Sequence, residues 1–270
     1  MNKQLQYYLK KGYKNIEGWY SKTALEIIAE LSKIQNSNNI KGSLCEIGVH
    51  HGRCFVLLSL LSQTDEICLA IDLFEEQNQN LDNSGCGDKE IVVNNLKLQK
   101  CDLNRVKFIT SNSVNLQKGN LLDSSSQKYR FFSLDGGHSI EIIQNDLNLA
   151  ESVLVDGGII LVDDYFDENW PGVSEGTLKY ILLNKSNLIP FAIFDDKVLF
   201  TNNVIIKSKY IKELKNLVPR YIIKETHFLN QFCLIIYSSP NKYINKIRKT
   251  KIWQSIKVSN LGNKIRSVLK

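Results

Sequence analysis

Ala24, Leu25, Ile27, Ile28, Leu31 and Ile34 recur at three- and four-residue intervals, which predicts an amphipathic helix over residues 21–35. The polar stretch NSNNIKGS then breaks the pattern. From Leu44 the chain alternates short apolar runs with helical periods. LCEIG (44–48), ICLAID (67–72), RVKFIT (105–110), YRFFSLD (129–135) and GGIILVDD (157–164) read as strands. CFVLLSLLS (54–62), KEIVVNNLKLQ (89–99), SIEIIQNDLNLAESVL (139–154) and GTLKYILLN (176–184) read as helices between and after them. Residues 75–90 are polar and show no clear period.

Strands separated by helices in this order predict an α/β fold. It is a three-layer sandwich with a mostly parallel sheet and helices on both faces. Beyond it, PFAIF and VLFT around the turn DDK predict a hairpin, KYIKELKNL a helix and NQFCLIIYS one more strand. The expected organisation is a helical N-terminal extension (1–40), the α/β domain (41–205), a helix-and-strand addition (206–240) and a basic tail (241–270). No internal repeat is visible.

Composition narrows the function classes. The chain has 270 residues, 43% of them hydrophobic and 23% charged, as in a soluble globular protein. The longest near-apolar run, residues 54–61, is far short of the roughly 20 residues needed to cross a bilayer. The N-terminus has no apolar signal region, so the expected location is the cytoplasm. The six cysteines include no C-x-x-C pair, and Cys45, Cys54 and Cys68 lie in or beside apolar runs. This argues for thiols acting as small hydrophobes, without a disulfide framework or structural zinc. The net charge of +6 comes from the tail: residues 241–270 hold nine Lys or Arg and no acid, leaving 25 basic against 28 acidic groups in the body. A nucleic-acid partner is not expected, because the body carries no basic excess.

The first chemical motif is CEIGVHHGRC, a strand end followed by Gly48, Gly52 and a helix. Ligands in open α/β sheets bind outside the carboxyl ends of the strands, where glycines admit a close backbone approach. The second strand ends in Asp72, 24 residues after Gly48, placed as an acid that binds ribose hydroxyls. Glu46, Gly48, Gly52 and Asp72 are therefore candidates for a nucleoside-bearing cofactor. His50 and His51 lie in the same loop and are read as solvated side chains.

The second motif is FFSLDGGHSIEII with GGIILVDDY. Asp135 ends the fourth strand, and Asp163 and Asp164 end the fifth. With strands one, four and five adjacent, the three carboxylates converge beside the cofactor loop. Bare carboxylates that close repel one another, and a divalent cation with a preference for hard oxygen ligands resolves this. His138, three residues beyond Asp135, reaches the same mouth and is the candidate general base.

Together, CEIGVHHGRC, AIDLFEEQNQNLDNSGCGD, FFSLDGGHSIEIIQNDL and GGIILVDDYFDENWPGVSEG resemble a class I S-adenosylmethionine (SAM)-dependent methyltransferase. They are similar in particular to the bacterial branch with macrocin- and mycinamicin-type sugar O-methyltransferases and cephalosporin-hydroxylase-like proteins. The resemblance spans about residues 15–205 and implies a Rossmann-like fold. It implies that Glu46, Gly48 and Gly52 hold the methionine end of SAM and that Asp72 holds the ribose. The segment TSNSV, with Asn112 and Ser113, would belong to the adenine pocket, Asn112 standing where many relatives carry aspartate. Asp135, Asp163 and Asp164 would bind magnesium, and His138 and Asp135 would be the catalytic pair. The implied reaction is metal-dependent methyl transfer to a hydroxyl of a small-molecule or glycan acceptor.

A nicotinamide-dependent oxidoreductase is opposed by the missing G-x-G-x-x-G and Tyr-x-x-x-Lys patterns. A non-catalytic nucleoside-cofactor binder on the same scaffold is opposed by the intact acids and His138. No two-His-one-carboxylate iron site of a hydroxylase is visible. Trp170 of WPGV is placed in a loop, either stacking on a sugar face or anchoring packing. The helix at 21–35 with Tyr7, Tyr8, Tyr13, Trp19 and Tyr20 is a candidate surface for a homo-oligomer. The tail, with Tyr243, Ile244, Ile247, Trp253 and Ile256 among its charges, is a candidate for peripheral contact with an anionic membrane.

Overall fold

The computed structural model describes residues 3–122, 127–184, 186–217 and 220–238. The basic tail and the membrane contact expected of it lie outside the described residues. Among the described residues nine strands form one sheet: β1 (Ser43–Ile47), β2 (Cys68–Asp72), β3 (Val106–Thr110), β4 (Tyr129–Leu134), β5 (Leu154–Val162), β6 (Ile189–Phe194), β7 (Lys197–Thr201), β8 (Tyr221–Phe228) and β9 (Gln231–Ser238). Their order is β3-β2-β1-β4-β5-β7-β6-β9-β8. The first five are parallel neighbours, β7 pairs antiparallel with β5, and β9 runs parallel to β6. This is the Rossmann-like sandwich expected, and the segment beyond 205 continues the same sheet.

Among the described residues eight α-helices accompany it: α1 (Lys3–Lys10), α2 (Lys22–Ser37), α3 (Arg53–Leu61), α4 (Lys89–Leu98), α5 (Lys118–Leu121), α6 (Ile140–Ser152), α7 (Pro171–Leu183) and α8 (Val204–Lys215). Alternate residues of each central strand feed opposite cores, as the two-residue period of a strand requires. Leu44, Phe131, Ile159 and Leu161 meet α1, α2, α3 and α8 on one face. Cys45, Phe132, Ile160 and Val162 meet α6 and α7 on the other. Cys45, Cys54 and Cys68 are buried, as small hydrophobes would be.

The N-terminal extension is part of this core. Leu5, Tyr8 and Leu9 of α1 are buried, a helix that the polar stretch KQLQYYLK concealed. The apolar face of α2 is used up against the body, with Ala24, Leu25, Ile27, Ile28 and Leu31 all at or near zero exposure. It is not available as the oligomer surface expected for it. Tyr8 and Tyr20 are likewise buried, while Tyr7 and Trp19 stay exposed.

Other elements also differ from the sequence reading. β5 begins at Leu154 rather than Gly157, because Gly157 sits at φ 74° inside the strand instead of ending a turn before it. Helix α7 begins at Pro171, a residue pre-organised for a first helical turn, so WPGV opens a helix and is not a loop. β8, YIIKETHF, was not anticipated. It is an edge strand whose Lys224, Glu225 and His227 blur the apolar alternation while protecting the edge from pairing.

Gly48 couples the two site motifs. It adopts φ 82°, and a Cβ there would lie 1.7 Å from the Asp135 carbonyl oxygen. Gly48→Ala is therefore expected to cost more than the ~1–2 kcal/mol of a left-handed residue alone, because β1 and β4 must also separate. Denaturant unfolding measures this, and a loss below ~1 kcal/mol would show that the two strand ends are not so tightly joined.

Candidate functional site

The carboxyl ends of β1, β2, β4 and β5 open into one cavity of about 440 Å³, within the range of small-molecule sites. Glu46, Gly48, Asp72, Asn112 and Ser113 line one side, and Asp135, His138, Asp163 and Asp164 the other. Gly52 does not line it. At φ 86° it caps α3, and its α-carbon faces Val92.

Asp72 lies where β2 ends. One carboxylate oxygen accepts the backbone N–H groups of Val49 (2.5 Å) and His50 (2.9 Å), and the other accepts that of Phe74 (2.7 Å). It ties the glycine loop to the β2 end. Glu46 is 1% exposed, and its Oε2 has no hydrogen-bond partner although it is fully buried. Burial pushes its carboxyl well above the ordinary range. A cationic group bound in the cavity would satisfy that oxygen, so this side fits the charged methionine end of SAM. Asn112 caps a short turn by accepting the N–H of Val114 (3.2 Å), and Ser113 is buried beside it. Asn145 of α6 donates to the Ser113 carbonyl (3.0 Å). The adjacent Asp146 is buried, and desolvation raises it to about 6 against the pull of Ser113 and Asn145.

On the other side the acids do not form one bare triad. Lys197 Nζ, buried, donates to Asp163 and, at 2.7 Å, to Asp196, and lies 4.8 Å from the centroid of the Tyr20 ring. Burial lowers its pKa, but Asp163 and Asp196 raise it more, so the amine stays charged. Lys197, in the DDK turn expected from the sequence, opens β7. The available signal was strand pairing: Val198 faces Val162, which sets Lys197 opposite Asp163. Asp135 remains without a donor to its side chain among the described residues. Burial, then Asp163 and Asp164, push it well up.

His138 Nε2 lies 3.0 Å from Asp164 and Nδ1 lies 2.8 Å from Asp82, and the ring stacks on Trp170 with centroids 4.1 Å apart. Burial lowers the His138 pKa, but the two carboxylates more than offset this and raise it. Trp170 thus packs on the base itself. Gly172 lies so close that a Cβ would meet the His138 carbonyl oxygen at 2.5 Å. Asp82 comes from the aperiodic stretch after β2, where no pattern marked it.

Two overlapping groups could each hold an ion, Asp135–His138–Asp164 and Asp163–Asp164–Asp196, the ligand atoms of each lying within 4.8 Å of one another. Four carboxylates against one lysine leave excess negative charge, so the donor set fits a divalent cation preferring oxygen ligands. Glu17, His50 and His51 also approach one another, a two-His-one-carboxylate group hidden from the sequence reading. The two imidazoles stack at 3.9 Å with planes 21° apart, so their in-plane lone pairs run side by side and do not meet on one ion.

Residues 45–165 match the family model described as a methyltransferase domain. Among curated proteins, none matches the chain closely enough to count as a relative. Solved structures share the fold. The O-methyltransferase NovP superposes with a TM-score of 0.55 at 18% identity, over 66% of this chain and 79% of its own. CalS11, a TDP-rhamnose 3'-O-methyltransferase of calicheamicin biosynthesis, gives 0.51 at 14%, over 73% and 92%. TomG of Streptomyces achromogenes, an O-methyltransferase of tomaymycin synthesis in complex with SAM, gives 0.50 at 13%, over 74% and 90%. The matched segment includes the strand ends that build the cavity. No helix among the described residues is long and apolar enough to cross a membrane.

Proposed function

We propose that this protein transfers the methyl group of SAM to a hydroxyl of a small-molecule or glycan acceptor, with a sugar diol as the favoured class. The observation that carries the reading is the single cavity, with an orphaned Glu46 oxygen and Asp72 on one side and His138 among acids on the other. Bound SAM supplies a methyl group on a positively charged sulfur. Glu46 holds its ammonium end, Asp72 accepts its ribose hydroxyls and Asn112 offers a carbonyl to the adenine amino group. His138 takes the acceptor proton at Nε2, and Trp170 holds the ring flat against the cavity wall. Holding both reactants in one cavity contributes much of the rate. Asp135, Asp163 and Asp164 would hold a divalent cation, which when bound lowers the pKa of a chelated acceptor hydroxyl. CalS11, which shares the fold, carries a sugar acceptor in its name and supports that class.

Magnesium tests the metal half of the reading. At 100 times its dissociation constant, a ligand that binds only the folded state adds ~2.7 kcal/mol of stability. Magnesium or manganese should therefore raise the melting temperature of the parent but not of Asp164→Ala, and excess EDTA should stop SAM consumption with a diol acceptor. Full turnover in EDTA would remove Asp135, Asp163 and Asp164 from metal binding.

A further inference from the structure

Separate segments of the chain meet beside Asp72. Trp19 belongs to the N-terminal segment that leads into α2, outside the residues matched by the family model. Its ring centroid lies 4.8 Å from that of His50, with the planes 52° apart, and His50 in turn stacks on His51. A Cβ on Gly85 would lie 3.4 Å from both Trp19 Cη2 and His50 Cδ2, so the stretch after β2 packs against the same two rings. The backbone N–H of His50 is held by Asp72. The indole therefore stands next to the acid assigned to the ribose, whereas Trp170 stacks on His138 across the cavity.

The backbone that carries Trp19 is anchored on both sides. Arg53 donates through Nε to the Ile16 carbonyl (2.8 Å) and through a terminal nitrogen to the Tyr20 carbonyl (3.3 Å). The Tyr20 hydroxyl lies 2.6 Å from Ser133 Oγ, and Ser21 donates to Asp195 at 2.6 Å. Yet Trp19, which lines the cavity, is 69% exposed. A large aromatic side chain left open on a fixed backbone at a cavity wall is a surface that a ligand completes.

We propose that Trp19 is a cofactor-binding residue that packs its indole on the ribose and adenine of SAM, so that the N-terminal extension closes the cofactor side of the cavity. This deepens the proposed function and rests on its assignment of Asp72 to the ribose. Adenine offers a flat π-face, and a base stacks on an aromatic side chain without exact register. The anchored backbone and the contact with His50 hold the indole in place beforehand, so little order has to be gained on binding.

The test compares S-adenosylhomocysteine with methylthioadenosine, which shares its ribose and adenine but lacks the amino-acid end. Calorimetry gives the affinity of each for the parent, Trp19→Ala and Trp19→Phe. Trp19→Ala should weaken both ligands by a similar factor, roughly 5- to 100-fold, the range for losing an aromatic partner of a base. Trp19→Phe should restore most of the loss. The melting temperature of unliganded Trp19→Ala should equal that of the parent, because an exposed side chain contributes little to folding. Tryptophan emission should change when S-adenosylhomocysteine binds the parent, and by less in Trp19→Phe. A Trp19→Ala variant that binds both ligands as tightly as the parent overturns the proposal and leaves the SAM site standing. So does a loss confined to S-adenosylhomocysteine, which would put Trp19 at the amino-acid end. A lowered melting temperature without rescue by Trp19→Phe would make the role structural and also overturn it. A parent that binds neither ligand refutes the SAM site itself, and the proposal falls with it.

Discussion

His138→Ala is expected to lower methyl transfer by roughly 10² to 10⁴, the range for loss of a general base, with SAM affinity near that of the parent. The separation follows from geometry. His138 faces Asp164, Asp82 and Trp170, while the cofactor side is built by Glu46, Asp72 and Asn112. Losing the imidazole removes the proton acceptor and also frees Trp170 from its stacking partner, so the acceptor's KM should rise as well. The measurement is steady-state formation of S-adenosylhomocysteine at saturating SAM, with calorimetric SAM affinity as the control. Parent-like turnover would return His138 to a packing role. A parent that binds SAM but turns over no hydroxyl acceptor would favour the cofactor-binding scaffold without catalysis.

The largest stability effect is expected far from the cavity. Arg130 of β4 is fully buried between α2, the end of α3 and Glu66. Its Nε and one terminal nitrogen each lie 2.8 Å from the two oxygens of Glu66, a bidentate pair. Gln35 (2.7 Å), Ser32 (3.1 Å) and the Leu61 carbonyl (3.1 Å) accept its other donors. Glu66 also accepts the N–H groups of Gln63 (2.8 Å) and Gly42 (3.3 Å). Glu66→Ala removes one partner and leaves a guanidinium charge with no counter-ion in a dry interior. A loss of ~3–5 kcal/mol is expected, the range for breaking a buried pair from one side. Replacing both residues by apolar ones, as in Arg130→Met with Glu66→Leu, should recover much of it, since the pair itself repays little more than its desolvation. Urea unfolding reads both. A single-variant loss under ~1 kcal/mol would mean that water or another acid reaches Arg130.

The parts of this protein that could be read in the sequence are those where local pattern and fold agree. Apolar runs ending in Glu46, Asp72, Asp135 and Asp163 identified the strands and, with the parallel order, brought these acids to one edge. What could not be read depends on pairing across the sheet or on irregular chain. Lys197 entered the site only through the register of β7 on β5. Asp82 entered it from a stretch with no periodicity at all. Arg130 lay hidden in an apolar run because its partners are 64 and 95 residues away. The role of Trp170 was legible as an alternative, packing or stacking, and the structure makes it a packing partner of His138. The N-terminal aromatics were misplaced for a related reason: burial of Tyr8 and Tyr20 is decided by α3 and the site, not by their neighbours in sequence.

Calorimetric titration with SAM tests whether the cavity is a site for this cofactor. The expected result is binding of one SAM per chain, no comparable binding of NAD, and an affinity at least roughly tenfold weaker in Asp72→Ala. That loss, about 1.4 kcal/mol or more, corresponds to hydrogen bonds from the ribose to a charged acceptor, and Asp72 also holds the glycine loop in place. Absence of SAM binding, preference for NAD, or an Asp72→Ala variant that binds SAM as tightly as the parent would contradict it.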